Sequence, residues 1–145
     1  MHARRRRRDA PLHVAARAVV LVVEDDAPLR TSMCAALTLM GFLPYGAGSV
    51  DAALKILGTE PVNAMVLDIR LPDPTGQQRS GLSLLKFVRT TAEFAEMPIL
   101  VFTGMQLSAS EEQVVRANRA HLFYKPQPYS VLIDHLNGLL NASAS

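Results

Sequence analysis

Four short apolar runs in this chain each end on a polar residue. Val19–Val23 leads into Glu24, Asp25 and Asp26, and Ala64–Leu67 into Asp68. The run beginning at Ile99 leads into Thr103 and Gly104, and residues 122–124 lead into Lys125 and Pro126. Runs of this length read as buried strands, and in an open parallel sheet the carboxyl ends of the strands share one rim where ligands bind. Glu24, Asp25 and Asp68 on that rim would repel one another unless a cation joined them. Mg²⁺ fits, because it takes a few carboxylate oxygens and keeps several waters. Zinc is disfavoured, since no His or Cys stands near these positions. A carboxylate beside such a metal can attack phosphorus, with metal and ammonium together offsetting charge on the phosphoryl oxygens. Lys125 supplies the ammonium, Thr103 a hydroxyl, and Gly104 a backbone N–H and space for a phosphoryl group.

The rest of the chain reads as the scaffold for that rim. After the first strand, Asp26 is expected to cap a helix with Pro28 in its first turn, and Leu29, Met33, Ala36, Leu37 and Met40 share one face. Gly41 ends that helix. Residues 42–45 form a weak second strand, placed at an edge by Pro44. Ser49 caps a second helix reaching about Leu57 and closed by Gly58. A Pro- and Gly-rich loop follows Asp68, and a third helix covers about 82–89. Ser110, Glu111 and Glu112 are expected to open a short fourth helix, where acids favour the positive end of the dipole. Residues 121–124 give a fifth strand. The fifth helix is expected over 130–140, with Val131, Leu132, His135, Leu136 and Leu139 inward. Five strand–helix alternations predict an α/β doubly wound parallel sheet, (βα)5, with helices on both faces.

At 145 residues, 49% of them hydrophobic, the chain is long enough for one domain with a real core. The formal net charge of +2 conceals a division: residues 1–17 hold six arginines and one aspartate, so the body is mildly acidic. Arg4, Arg5, Arg6, Arg7 and Arg8 repel one another and predict an unstructured basic tail over 1–17. Such a run could contact nucleic acid or an anionic surface, but no aromatic residues interleave with it and a solvated extension is the simpler expectation. The single cysteine, Cys34, excludes an internal disulfide and reads as a core-edge residue. Arg17 and the Glu24 acids interrupt any signal-peptide pattern, and no stretch is long enough to span a bilayer. A soluble cytoplasmic protein is expected, with domain limits 18–141 and a short tail at 142–145.

The segments Val22-Val23-Glu24-Asp25-Asp26, Leu67-Asp68-Ile69-Arg70-Leu71-Pro72, Phe102-Thr103-Gly104 and Tyr124-Lys125-Pro126 occur in the order, and at the strand ends, of one known family. The chain resembles the receiver domains of two-component response regulators over about residues 18–140. The resemblance implies a flavodoxin-like fold with strand order 2-1-3-4-5. It also implies that Asp68 accepts a phosphoryl group from a histidine of a sensor kinase or phosphotransfer protein. By the same likeness Asp25 and Asp68 touch Mg²⁺, Glu24 acts through water, and the Arg70 backbone carbonyl completes the metal's protein ligands. Thr103, Gly104 and Lys125 hold the phosphoryl group. A downstream protein target, or a second copy of the chain after phosphorylation, is expected on the face made by the fourth helix, fifth strand and fifth helix.

Two departures from the family stand out. The switch position three before the lysine, commonly aromatic, is Leu122 here, which cannot move a phenolic hydroxyl. The loop before the third helix is longer by residues 77–81, and Arg79 within it could hold a partner or the phosphoryl group, although a tolerated surface loop is the plainer reading. His2, His13, His121 and His135 have no ligand spacing. Two alternatives share the residues. One is a binding module that kept the pocket without being phosphorylated, which Leu122 favours. The other is a haloacid-dehalogenase-type phosphatase, which wants a second aspartate where Arg70 stands. Neither the leading reading nor the first alternative is an enzyme acting on a separate substrate.

Overall fold

The structure is a computed structural model that describes residues 17–71 and 81–144. The basic run at 4–8, Arg79 and residues 72–80 lie outside the described residues.

Five strands, β1 (Val19–Val23), β2 (Leu43–Ala47), β3 (Ala64–Leu67), β4 (Ile99–Thr103) and β5 (His121–Tyr124), form one sheet. Its order is β2-β1-β3-β4-β5, all parallel, as expected. The helices are α1 (Ala27–Leu39), α2 (Val50–Thr59), α3 (Gly81–Thr90), α4 (Ala109–Ala117) and α5 (Tyr129–Ala144), with a 3-10 turn at Ala92–Phe94.

The three central strands β1, β3 and β4 are apolar along their length, but for Thr103 at the end of β4, because both faces are covered. Successive side chains point to opposite faces. Leu21, Val23, Met65, Leu67, Ile99 and Val101 pack with Leu57 of α2, Leu84, Leu85 and Val88 of α3 and Val115 of α4. The alternate residues Val20, Val22, Val66, Leu100 and Phe102 meet Met33 and Leu37 of α1 and Leu132, Ile133 and Leu136 of α5. Each such side chain removed from water contributes roughly 1.5–3 kcal/mol, so the two layers fix strand register firmly. The register then sets the rim. Val23 pairs with Leu67 and Thr103 with Tyr124, so Glu24 lies beside Asp68, and Thr103 beside the residue preceding Lys125.

Local signals acted as expected in several places. The Asp26 side chain accepts the Leu29 N–H at 3.1 Å and Ser49 accepts that of Ala52 at 3.1 Å, capping α1 and α2. Gly41 turns the chain after α1 with φ of 92°, and Pro44 lies on the edge strand.

Other boundaries differ, for physical reasons. β2 is Leu43–Ala47, displaced toward the C-terminus because its register is set by pairing with β1 rather than by its weak pattern. Gly58 lies inside the last turn of α2, which runs to Thr59. The cap of α4 is Ser108, not Ser110: its hydroxyl accepts from the Glu111 N–H, and the Glu111 carboxylate accepts from the Ser108 N–H, a reciprocal pair. The helix α5 begins at Tyr129 and continues to Ala144, beyond the expected end. Its buried stripe is Leu132, Ile133, Leu136 and Leu140; Val131 and His135 are exposed. Met40, the residue that caps the end of α1, also faces solvent.

Candidate functional site

The ladder continues one residue past the strand ends, which is what carries the polar residues into place. The Glu24 N–H donates to the Ala47 carbonyl at 2.9 Å, the Asp68 N–H to Val23 at 3.0 Å and the Lys125 N–H to Thr103 at 2.8 Å. Glu24, Asp25 and Asp68 are thereby gathered, with one carboxylate oxygen of each within 4.8 Å of the others. Glu24 and Asp68 are buried and Asp25 is exposed. Lys125 spans the gap from the far end of the chain: its Nζ lies 2.6 Å from Glu24 Oε1 and 3.2 Å from Asp68 Oδ2.

Backbone groups satisfy the second carboxylate oxygen of Glu24 and of Asp68. The Asp26 N–H donates to Glu24 Oε2 at 3.1 Å, and the Arg70 N–H to Asp68 Oδ1 at 3.0 Å. Burial, reinforced by the charge of Asp68, pushes the Glu24 carboxyl above its usual range against the opposing pull of Lys125 and the Asp26 N–H. For Lys125, burial works against the ammonium but the Glu24 and Asp68 carboxylates outweigh it, so its pKa rises and the cation is secure. One ammonium against three carboxylates leaves excess negative charge on oxygen ligands at a half-open rim. That donor set suits a small, hard divalent cation such as Mg²⁺.

Thr103 is fully buried, and its Oγ1 is the one buried side-chain oxygen among the described residues with no hydrogen-bond partner. A buried hydroxyl left in this way costs about 1–3 kcal/mol, which a ligand oxygen arriving on the rim would recover. Gly104 follows on the surface. A Cβ there would meet only Lys125 Cδ at 3.6 Å, an ordinary contact, so Lys125 itself does not demand the glycine.

Arg30 and Gly81 hold parts of the site although neither carries a clear signal in the sequence. Arg30 of α1 donates through Nη1 to the Glu24 carbonyl at 2.7 Å, and its side chain lies across Gly46 and Gly48, where a Cβ would come within 3.1 and 3.0 Å of it. Gly81, read only as the end of a long loop, packs directly on the Asp68 main chain. Arg70 points outward to Glu111 of α4, with Nη1–Oε2 and Nη2–Oε1 distances of 3.1 and 3.2 Å. Leu122 is half-buried against the layer of α3 and α4, and Tyr124, two residues on, faces the same way. The Tyr124 hydroxyl donates to Glu112 Oε2 at 2.6 Å and accepts the Leu107 N–H at 3.2 Å. On the opposite side of β5, His135 Nε2 lies 3.3 Å from His121 Nδ1, a contact between distant residues that spacing alone did not suggest. Cys34 is half-buried in α1, where burial pushes its thiol pKa up and makes it a poor nucleophile. No helix among the described residues is long and apolar enough to cross a membrane.

Comparison with known proteins agrees with this architecture. FleR, a response regulator protein of Pseudomonas aeruginosa, is 30% identical over 117 residues, which are 81% of this chain and 23% of that protein. PhoB, a phosphate regulon transcriptional regulatory protein of Klebsiella pneumoniae, is 33% identical over 97 residues, or 67% of this chain and 39% of its own length. The chain thus spans well under half the length of these curated relatives. Among solved structures, a response regulator receiver protein from Pseudomonas putida superposes with a TM-score of 0.74 at 29% identity, covering 86% of this chain and 99% of that one. The chemotaxis protein CheY4 of Vibrio cholerae gives a TM-score of 0.74 at 23% identity over 86% of this chain and 99% of its own, a likeness of fold. The sequence model of the response regulator receiver domain matches residues 20–137, nearly the whole of the five-stranded unit and every residue of the acidic rim. The chain belongs to the response regulator receiver domain family of two-component systems.

Proposed function

We propose that this receiver domain takes a phosphoryl group onto Asp68 from a phosphohistidine of a sensor kinase or histidine phosphotransfer protein in the cytoplasm. Lys125 bridging Glu24 and Asp68, with the unpartnered Thr103 hydroxyl on the same rim, is the observation that supports this reading most. Asp25, Asp68 and the Arg70 backbone carbonyl would hold Mg²⁺, with Glu24 acting through a water. When bound, the metal supplies charge neutralisation at the transferring phosphoryl group.

This chain's own residues do the rest. An Asp68 carboxylate oxygen forms the bond to phosphorus as the donor's P–N bond breaks, and the imidazole nitrogen leaves with the electron pair and takes up a proton. Lys125 exchanges its contact with Asp68 for a phosphoryl oxygen. Thr103 donates its hydroxyl to a second oxygen, and the Gly104 N–H is available to the same group. The acyl phosphate then shifts the population between two arrangements of the surface formed by α4, β5 and α5, where a downstream protein or a second copy would bind.

Beryllofluoride with Mg²⁺ tests the assignment. A stable adduct that disappears in Asp68→Asn is expected. Failure to form it would favour a pocket kept for binding alone, and turnover of small phosphate esters would favour a phosphatase. The position two after Asp68, where a phosphatase of the haloacid-dehalogenase kind needs an aspartate, is Arg70 with its guanidinium on Glu111, which weighs against the latter.

A further inference from the structure

The first turn of α4 is tied to the acidic rim twice, through neighbouring acids. Glu111 is held by Arg70, two residues after Asp68, in a two-point contact of 3.1 and 3.2 Å. Glu112 is held by Tyr124, the residue before Lys125, at 2.6 Å. The same Tyr124 hydroxyl accepts the N–H of buried Leu107 at 3.2 Å, and Gln106 Nε2 lies 3.2 Å away, so one phenol gathers the loop between Thr103 and α4. Each tie therefore begins beside a residue that a phosphoryl group would engage. Leu122, at the position where the family commonly has a mobile aromatic, has no polar group to offer.

We infer that Tyr124 and Arg70 together form the switch of this domain: they clamp α4 while Asp68 carries no phosphoryl group, and a phosphoryl group on Asp68 releases it. The inference rests on Asp68 being the acceptor. The release has two causes. A phosphoryl group two residues from Arg70 offers oxygens in the planar, two-point geometry that a guanidinium matches as well as it matches a carboxylate, and with more charge. It therefore competes with Glu111 for Arg70. At the same time the buried Thr103 hydroxyl gains a partner on the rim and draws the start of the 104–108 loop toward it, away from a phenol anchored on β5. Glu111 keeps its reciprocal cap with Ser108, so α4 survives as a helix and changes position rather than melting. Burial is low at the Arg70–Glu111 contact, with side-chain exposures of 38% and 25%, so this tie is weak enough to be exchanged.

Hydrogen exchange of the full chain, with and without saturating beryllofluoride and Mg²⁺, reads the clamp directly. In the wild-type chain the Leu107 amide and residues 109–113 are expected to exchange at least tenfold faster in the beryllofluoride state. Tyr124→Phe, which keeps the ring and removes only the hydroxyl, should show fast exchange at Leu107 in both states and lose the difference. Glu112→Ala is a second variant that should raise resting exchange in the same segment. Both should still bind beryllofluoride, read separately as an Mg²⁺-dependent adduct. Adding Glu111→Gln to Tyr124→Phe should give the released pattern without any beryllofluoride. An unchanged Leu107 amide in the wild-type adduct, or a full response in Tyr124→Phe, overturns the clamp while leaving Asp68 as acceptor. Absence of an adduct in the wild-type chain instead overturns the acceptor assignment and the trigger with it.

Discussion

Gly81 opens α3 pressed against the main chain of Asp68. Its N–H donates to the Ile69 carbonyl at 2.7 Å, and a Cβ built on it would stand 2.5 Å from the Asp68 carbonyl oxygen and 2.8 Å from Ile69 Cα. These are backbone atoms in a packed layer, so nothing flexible can give way. The glycine lets the third helix start beside the proposed acceptor and holds the turn after β3 in place.

Gly81→Ala should therefore cost about 1–3 kcal/mol of stability, through overpacking against the backbone. Phosphoryl uptake at Asp68 should slow with it. Gly58→Ala is the matched control, because nothing lies within 4 Å of a Cβ there and the position is helical. That change should stabilise by about 0.5–1 kcal/mol. Urea unfolding of the two variants compares them directly.

Lys125 should matter to stability as well as to chemistry. Removing it leaves the buried Glu24 and Asp68 carboxylates facing each other without their ammonium. Lys125→Ala should destabilise by about 1–3 kcal/mol, and Asp68→Asn in the same chain should recover much of that loss. A double-mutant cycle by denaturant unfolding measures the coupling; strict additivity would show that Lys125 and Asp68 do not interact.

If Mg²⁺ occupies the gathered carboxylates of the folded chain as proposed, it should raise the thermal midpoint, because the unfolded chain offers no such cluster. At ten times the half-saturating concentration the gain is about 1.4 kcal/mol. Asp25→Asn should abolish most of it with little effect on the metal-free midpoint, since Asp25 is exposed and Lys125 bonds to the other two acids. Differential scanning fluorimetry across a metal titration is sufficient.

The histidine contact predicts a pH dependence. Burial, then His135, then Arg89 lower the pKa of His121 below 6.5 in the folded chain. In the window between that lowered value and 6.5 the unfolded chain binds more protons at His121 than the folded one. Stability from this group is thus complete above pH 6.5 and declines as pH falls through the folded pKa. His135→Gln removes one of the opposing charges, so its stability should fall less steeply over the same interval. Equilibrium unfolding at a series of pH values gives both slopes.

Much of the fold and of the acidic rim was legible because two strong local signals coincided. Fully apolar runs marked the central strands covered on both faces, and the polar residue ending each run marked the rim. Asp26 and Ser49 likewise announced the helix starts that they cap. Where a signal depended on a partner distant in sequence, it was silent. Ser110 and Ser108 are equally good caps on paper, and only the reciprocal bonds with Glu111 distinguish them. The buried stripe of α5 lies about one residue later than its spacing predicts: Val131 is exposed, and His135 stands against His121 and Phe123 of β5, a half-exposed edge strand. Gly81, Arg30 and Tyr124 act through contacts with Asp68, Glu24 and Glu112 that no spacing rule brings together.

Incubation with acetyl phosphate and Mg²⁺, followed by intact mass and mapping of the modified residue, tests whether Asp68 is the acceptor. One phosphoryl group per chain is expected, located on Asp68, dependent on Mg²⁺ and absent in Asp68→Asn. Uptake on another residue, or no uptake by a folded chain in the presence of Mg²⁺, would contradict it.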